Sequence, residues 1–454
     1  MKQGIFTIEQ LEKLLDASNN AEILKQLNAM DPADVADLLE DIDPEEQERV
    51  FAILDTDMAS DVLVEMEPGE LDDFVDRIPP EKLAEIVSEM APDDQADFYS
   101  NLEEDEQKNL LKFLPEEDSI ELKRLLGYDE DSAGGIMTPE FCAIQVDATV
   151  QEAIKAIADE EYDDPISMIF AVDKDMKLKG AIHVSELLSK TRNSKINDII
   201  EDIQVLARTD EDQETIANNF RKYDLFVMPV VDAFGTLVGR ITADDVMDVI
   251  QEEAVEDIAH MAGAPDMERH EDSPVKVAGL RLPWLMITMF TGLIISIIIQ
   301  KMIGLTAIEG LAAHVPVVLA MGGNTGMQAS AITVRGIALG EIEFGKLFKM
   351  SLREVSVGIL MGIVCGTITG LIVWLKLEYF GGISTVSPLR LAFVVGVSMC
   401  SAMTFAALCG TLLPIILHKW KIDPALASGP FVTTGNDLAA SMIYFAMCFF
   451  LLKM

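Results

Sequence analysis

One aspartate stands where an acid is costly. Asp437 lies in the run GPFVTTGNDLAASMIYF (429–445), inside an apolar stretch from Pro424 to Leu452. Read as one helix, that stretch puts Asp437 about 21 Å beyond Asp423, near the middle of a bilayer. An ionisable group at that depth marks a pathway unless it serves as hydrogen-bonded packing glue. Thr433, Thr434, Gly435 and Asn436 precede it. Gly429-Pro430 and Gly435 can loosen the helix, and the hydroxyl and amide groups offer oxygen ligands. One carboxylate among amides, hydroxyls and carbonyls is hard-oxygen chemistry, which suits Mg²⁺ or Ca²⁺. Soft-metal ligation is poorly supported, because His314 and His418 are isolated and the cysteines show no CxxC. A single carboxylate is little charge for a divalent ion, and a two-fold dimer with Asp437 near its axis would supply two.

Two other groups could act with it. Gly322-Gly323-Asn324-Thr325-Gly326 interrupts a second apolar stretch. Such a run breaks or thins a helix where backbone lines a watery cavity, or permits close helix packing. In the first case Asn324, Thr325 and Gln328 face a pore with Asp437. Further upstream, Asp248, Glu252 and Glu256 recur every fourth residue in a helical segment spanning 246–272, with Glu253 and Asp257 beside them. Like charges at that spacing destabilise a helix unless a cation or basic partner joins them. The alternatives are a solvated acidic face and a cation-responsive connecting helix.

The composition shows what must position these groups. The chain has 454 residues with 77 acids and 34 bases, yet half of it is hydrophobic. The conflict resolves at residue 280. Residues 1–280 hold 70 acids and 23 bases, and residues 281–454 hold 7 and 11. The first part is acidic and water-soluble. That charge repels phosphate and excludes a nucleic-acid binder. Five cysteines, four of them in the apolar part, do not make a disulfide framework. The opening MKQGIFTIEQLEKLLDASNN is amphipathic and does not read as a secretory signal.

The apolar part predicts five membrane spans: Pro283 to Ile303, Ala307 to Leu339, Leu347 to Leu375, Leu389 to Leu417 and Pro424 to Leu452. Pro283 suits a helix start. With the N-terminus in the cytoplasm, the inner ends carry Arg281, Arg335, Lys346, Lys349, Arg353, Lys419 and Lys421. The outer ends carry Lys301, Lys376, Arg390 and Lys453. The excess favours that orientation and puts the C-terminus outside.

The acidic part contains two modules. From 31 to 126 the sequence repeats every twelve residues, as in DPADVADLLEDI (31–42) and DPEEQERVFAIL (43–54). Eight units close on an apolar residue, and apolar residues fill most of the eighth and ninth positions. An acid followed by proline opens many units, which is a capping residue ahead of proline at the first helical position. Each unit predicts one short helix and a corner, stacked into a solenoid whose hand does not follow from the pattern. The second module, about 137–262, reads as two similar halves, each strand, helix, two strands around a turn, then helix. It resembles a tandem CBS-domain pair. The second half carries GRITADD (239–245), and the first departs from it with GAIHVSE (180–186). CBS pairs often hold an adenine nucleotide, so the resemblance puts Thr242 near phosphate and Asp245 near ribose, in one of two clefts. A purely mechanical relay is the alternative.

Taken together, the acidic repeat, GGIMTPE (134–140), the CBS pair, the connecting helix, GGNTG (322–326) and DPALASGPFVTTGND (423–437) resemble the MgtE family of magnesium channels and transporters over essentially the whole chain. The fold this implies is multidomain. An all-α superhelical repeat spans 1–130, a tandem α/β CBS pair 131–250, a linking helix 251–275, and a five-helix α transmembrane domain 276–454. The resemblance further implies a homodimer in the plasma membrane with a pore between its spans, closed when cytosolic Mg²⁺ is plentiful. Asp437 matches the family's pore aspartate. Asp93 and Asp97 match sensor carboxylates of the N-terminal domain. Asp224, Asp245, Asp248, Glu253, Glu256 and Asp257 match those of the CBS module and linking helix. Asp423 matches the acid at the cytoplasmic mouth. Gly429 stands where some relatives have asparagine, which removes one potential pore ligand.

Charge supplies a mechanism for such a gate. The acidic lobes of two copies repel one another, and bridging Mg²⁺ would draw them together and lock the linking helices against the pore. An enzyme reading lacks its machinery, since neither HExxH nor GxxxxGK[ST] occurs. A CBS-regulated chloride channel is opposed by Asp437. A magnesium sensor without transport, or a transporter of another divalent cation, stays open at this stage.

Overall fold

The computed structural model describes residues 6–66, 68–102, 104–159, 166–262, 274–306, 312–338, 347–379, 386–424 and 429–452. The chain divides into two compact units, Met1–Ile250 and Gln251–Met454.

The first unit opens with helices α1 (Ile8–Asp16) and α2 (Asn20–Leu27), which pack on each other. The eight repeats follow, each forming one helix: α3 (Pro32–Glu40), α4 (Pro44–Phe51), α5 (Thr56–Glu65), α6 (Pro68–Val75), α7 (Pro80–Val87), α8 (Pro92–Asn101), α9 (Glu104–Phe113) and α10 (Glu116–Leu125). The start signals act as expected. Asp31 accepts a hydrogen bond from the Ala33 amide, and Asp55 accepts one from Met58. Proline occupies the first turn of α3, α4, α7 and α8. The eighth position of every unit (Leu38, Val50, Val62, Phe74, Ile86, Phe98, Leu110, Leu122) is buried. A helix of two turns buries too little surface to stand alone. Here α3 packs on α5, α5 on α7, α7 on α9 and α8 on α10, so these units are completed by the one two places on. Glutamine at the fifth position adds a polar fastening. Gln47 donates to the Leu39 carbonyl at 2.9 Å, Gln95 to Met90 at 2.9 Å, and Gln107 to Tyr99 and Leu102 at 3.0 Å. These bonds satisfy carbonyls that the end of the preceding helix leaves open.

The CBS pair consists of two similar three-stranded sheets. The first contains β1 (Ala143–Gln145), β2 (Met168–Val172) and β3 (Leu178–His183), and the second β4 (Ala207–Arg208), β5 (Val227–Val231) and β6 (Leu237–Thr242). In each, the first strand runs parallel to the second and the second antiparallel to the third. Helices α11 (Val150–Asp159) and α13 (Gln213–Tyr223) make the crossovers. The hairpins turn on the same device: Asp173 accepts from the amides of Asp175 and Lys177, and Asp232 from those of Phe234 and Thr236. The halves end differently. The first closes on a single turn, α12 (Val184–Leu187), while the second runs into the long α14 (Ala243–Ala262).

The second unit is built from α15 (Pro274–Thr306), α16 (Val315–Ala338), α17 (Leu347–Tyr379), α18 (Pro388–Lys419) and α19 (Pro430–Leu452). Among the described residues, four helices are long and apolar enough to cross a membrane, namely α15, α17, α18 and α19. The expected second span, α16, falls short because GGNTG, Gln328, Ser330 and Thr333 dilute its apolar character. It is held instead on α18 and α19. Three local expectations are corrected. Pro283 lies inside α15, which begins about two and a half turns earlier at Pro274. GGNTG does not break its helix, and α16 is continuous through it. The last helix starts at Pro430 rather than Pro424, and Gly435 does not interrupt it.

Lipid tails are as apolar as leucine, so these helices associate by close packing. Gly358, Gly362, Gly366 and Gly370 form one face of α17 against α18. A Cβ at Gly362 would lie 2.7 Å from the Cys400 Cα, and one at Gly396 would lie 2.7 Å from the Gly366 carbonyl oxygen.

Candidate ion pathway and regulatory sites

Asp437 is the eighth residue of α19, so it lies about 10 Å along the helix from its first residue. A Cβ at Gly323 would lie 3.2 Å from Asp437 Oδ1 and 3.6 Å from the Thr433 methyl. The carboxylate thus rests against bare α16 backbone. One turn on, the Asn436 side chain fills the space that a side chain at 326 would need. Asn436 is 3% exposed, and its Nδ2 has no hydrogen-bond partner among the described residues. The GGNTG glycines therefore let α19 bring Asn436 and Asp437 onto α16.

The other polar residues of that run do not join them. Thr325 donates its hydroxyl to the Met321 carbonyl at 2.7 Å. Asn324, Thr325 and Gln328 line a separate cavity of about 450 Å³ with Met361, Cys365 and Met403. At 100° per residue this face lies opposite Gly322, Gly323 and Gly326. The expectation that these three face a pore beside Asp437 is not met within one chain. A period of 3.6 separates the two faces, however close the residues are in sequence.

A second locus joins the end of α14 to Asp423, which follows α18 in the chain. His260 Nδ1 lies 3.0 Å from Asp423 Oδ2 and 3.7 Å from Glu256 Oε1. Asp257 is half-buried beside them. Burial pushes its carboxyl above the ordinary range, Asp423 pushes it further, and His260 partly opposes both. The sign follows: an acid with a raised folded pKa stabilises the docked helix below its ordinary pKa, and this contribution is lost as pH rises through the raised value. In metal-free buffer, exchange of amides 251–262, corrected for intrinsic rate, is expected to slow as pH falls from about 7 to about 4. Asp257→Asn should flatten that trend. A trend of unchanged slope in the variant would remove Asp257 from this role.

Of the remaining sequence-predicted acids, all but Glu253 lie in the first unit. Asp93 and Asp97 stand one turn apart on α8. Asp224 ends α13 in the left-handed conformation at φ 52°, which aspartate tolerates. Asp245 accepts hydrogen bonds from the Thr242 amide, at 3.1 Å, and from the Thr242 hydroxyl. The two residues named for a nucleotide thus cap α14 together. Glu253 lies on α14 between these loci. Burial raises the Asp248 carboxyl, with Asp244 adding to it. Sequence reasoning missed Glu65, which burial and then Asp31, Asp248 and Asp61 push upward. It also missed His260, although the spacing of four from Glu256 was readable. Among the described residues, no three His, Cys, Asp or Glu side chains form a ready metal cage.

Apolar helices bearing a half-enclosed aspartate, joined to an acidic cytosolic part with CBS sheets, fit a cation transporter. Family comparison agrees. Residues 315–447 match the MgtE divalent cation transporter domain, 30–131 the MgtE intracellular N domain, and 133–192 and 198–252 CBS domains. The chain is 38% identical over 338 residues to a magnesium transporter MgtE of Thermus thermophilus, covering 73% of each chain. It is 34% identical to the Enterococcus faecalis magnesium transporter MgtE, over 72% of this chain and 70% of that one. The cytosolic domain of the Mg²⁺ channel MgtE in complex with ATP aligns with a TM-score of 0.50 and 32% identity, over 53% of this chain and 99% of that one. This chain belongs to the MgtE family. It is a multi-pass membrane protein with a cytosolic N-terminal domain, and a transporter rather than an enzyme.

Proposed function

We propose that two copies of this chain form an Mg²⁺ import pathway across the plasma membrane, closed from the cytosol by Mg²⁺ itself. Each copy contributes Asp437, so two carboxylates meet the divalent ion, and Mg²⁺ keeps several of its waters there. Closure uses the carboxylates of the linking helix (Glu253, Glu256, Asp257) with Asp423, supported by Asp93, Asp97, Asp224, Asp245 and Asp248 in the cytosolic part.

The observation that carries the regulatory reading is Asp257 beside Asp423. Burial, and then the neighbouring Asp423, raise the Asp257 carboxyl, and two carboxylates so placed are where a divalent cation gains more than a proton does. Cation binding draws the linking helix down, and its absence lets like charges push it away. An adenine nucleotide at Thr242 and Asp245 would have to open the bond between them. A solved relative described as ATP-bound supports that reading of the cleft.

Purified protein in liposomes tests both halves. Mg²⁺ influx is expected at low Mg²⁺ on the cytosolic-domain side and is expected to fall as that Mg²⁺ is raised. No flux at low Mg²⁺ would leave a sensor or another ion, and flux that ignores high Mg²⁺ would remove the gate.

A further inference from the structure

We propose that His260 is the positioning residue that pins the linking helix to the membrane domain, giving the gate a hold on Asp423 that needs no metal ion. The proposal rests on the regulatory reading above for its effect on flux, and on geometry alone for the pin itself.

The last turns of α14 carry Glu252, Glu253, Glu256 and Asp257, and the surface they meet offers Asp423. His260 lies one turn beyond Glu256, on the same face, with its side chain only 11% exposed. Its Nδ1 stands 3.0 Å from Asp423 Oδ2, across 163 residues of chain. A bare ring nitrogen there would set its lone pair against carboxylate oxygens on two sides. The nitrogen therefore carries the hydrogen and donates it to Asp423, with the Glu256 carboxylate 3.7 Å away as a nearby charge. Both the neutral Nδ1–H tautomer and the imidazolium satisfy this geometry, so the contact does not wait on a protonation event. A well-enclosed hydrogen bond to an ionised acceptor changes an equilibrium by about tenfold.

Two outcomes of opposite sign follow from two roles. If His260 pins the helix, its loss makes closure need more Mg²⁺. If it merely occupies an Asp423 oxygen that the cation wants, its loss makes closure need less.

The test uses full-length protein in liposomes, with flux measured against Mg²⁺ on the cytosolic-domain side. For His260→Leu the Mg²⁺ giving half closure is expected to rise about tenfold. His260→Asn, whose amide can present an N–H near the position of Nδ1, is expected to stay within about twofold of the native value. In an Asp423→Asn background the His260→Leu shift should shrink to about twofold or less, because the acceptor is weakened. An unchanged or lowered midpoint for His260→Leu overturns the pin, and so does an equal shift for His260→Asn or a full shift in the Asp423→Asn background. Hydrogen exchange of amides 251–262 in metal-free buffer gives a readout independent of flux. Faster exchange is expected in His260→Leu but not in His260→Asn, with α18 amides unchanged as the check on folding. If native flux ignores cytosolic Mg²⁺, the regulatory reading fails, yet the exchange comparison still decides the pin. Equal protection in all three proteins overturns it.

Discussion

Asp437→Ala is expected to lower Mg²⁺ flux by about a hundredfold, or about 2.7 kcal/mol, while the protein still folds and reaches the membrane. The carboxylate lies on the α19 face that meets the bare backbone of Gly323, with Asn436 held beside it by Gly326. Nothing else in the described length of α19 carries charge. In the proposed dimer, one substitution removes both charges from the pathway. Asp437→Asn keeps the shape and loses the charge, so it separates the two contributions and is expected to fall nearly as far. Stability should rise slightly, because an enclosed carboxylate is replaced by a neutral group. The measurement is Mg²⁺ influx into liposomes at low Mg²⁺ on the cytosolic-domain side. Flux in Asp437→Ala within about twofold of native would place the ion path elsewhere.

Gly396→Val should be the most damaging packing change. A Cβ at 396 would stand 2.7 Å from the Gly366 carbonyl oxygen, and Gly366 meets the Gly396 backbone in return. Neither obstacle is a movable side-chain tip, so α17 and α18 must separate. They form the most extensively packed helix pair of the membrane unit, and the shift propagates along Gly358, Gly362 and Gly370. Overpacking of this kind costs about 3 kcal/mol, which lowers the melting temperature of a unit this size by about 10 °C. Melting in detergent checks it, with Ile372→Val as control at a position that is 58% exposed. Gly396→Ala should fall between native and Gly396→Val. A melting point for Gly396→Val equal to that of the control would mean the helices do not approach this closely.

The elements were legible where a short-range rule writes them directly. The period of twelve named eight helices from 31 to 126, because proline and a capping acid act within one turn. The two halves of the CBS pair were readable for a similar reason, since Asp173 and Asp232 each organise a hairpin within four residues. Boundaries in the apolar part were less legible. Apolar composition runs continuously past the place where a helix starts, so Pro283 read as a beginning and Pro424 as the start of the last helix, although α15 begins at Pro274 and α19 at Pro430. Composition says that a segment prefers lipid, and it does not say which residue has helical dihedrals first.

The candidate site divides in the same way. An aspartate within an apolar stretch is visible in any reading of the sequence, and so is the carboxylate spacing on the linking helix. What Asp437 faces was not visible. GGNTG is compatible with a broken helix or with a flat one, and the choice depends on what occupies the other side. In the folded chain Asn436 and Asp437 occupy it, so the glycines serve close approach and the helix stays whole. The same packing turned Asn324 and Gln328 to the opposite face. His260 shows the limit most clearly. Its partner Glu256 is four residues away and could be read from a helical wheel, while Asp423 is 163 residues away and could not. The sequence by itself determined charge, hydropathy, repeat period and helix starts, all set by interactions among neighbours along the chain. The tertiary structure alone decided which faces meet, because that depends on side-chain volume and on which backbone can come within contact distance of which side chain.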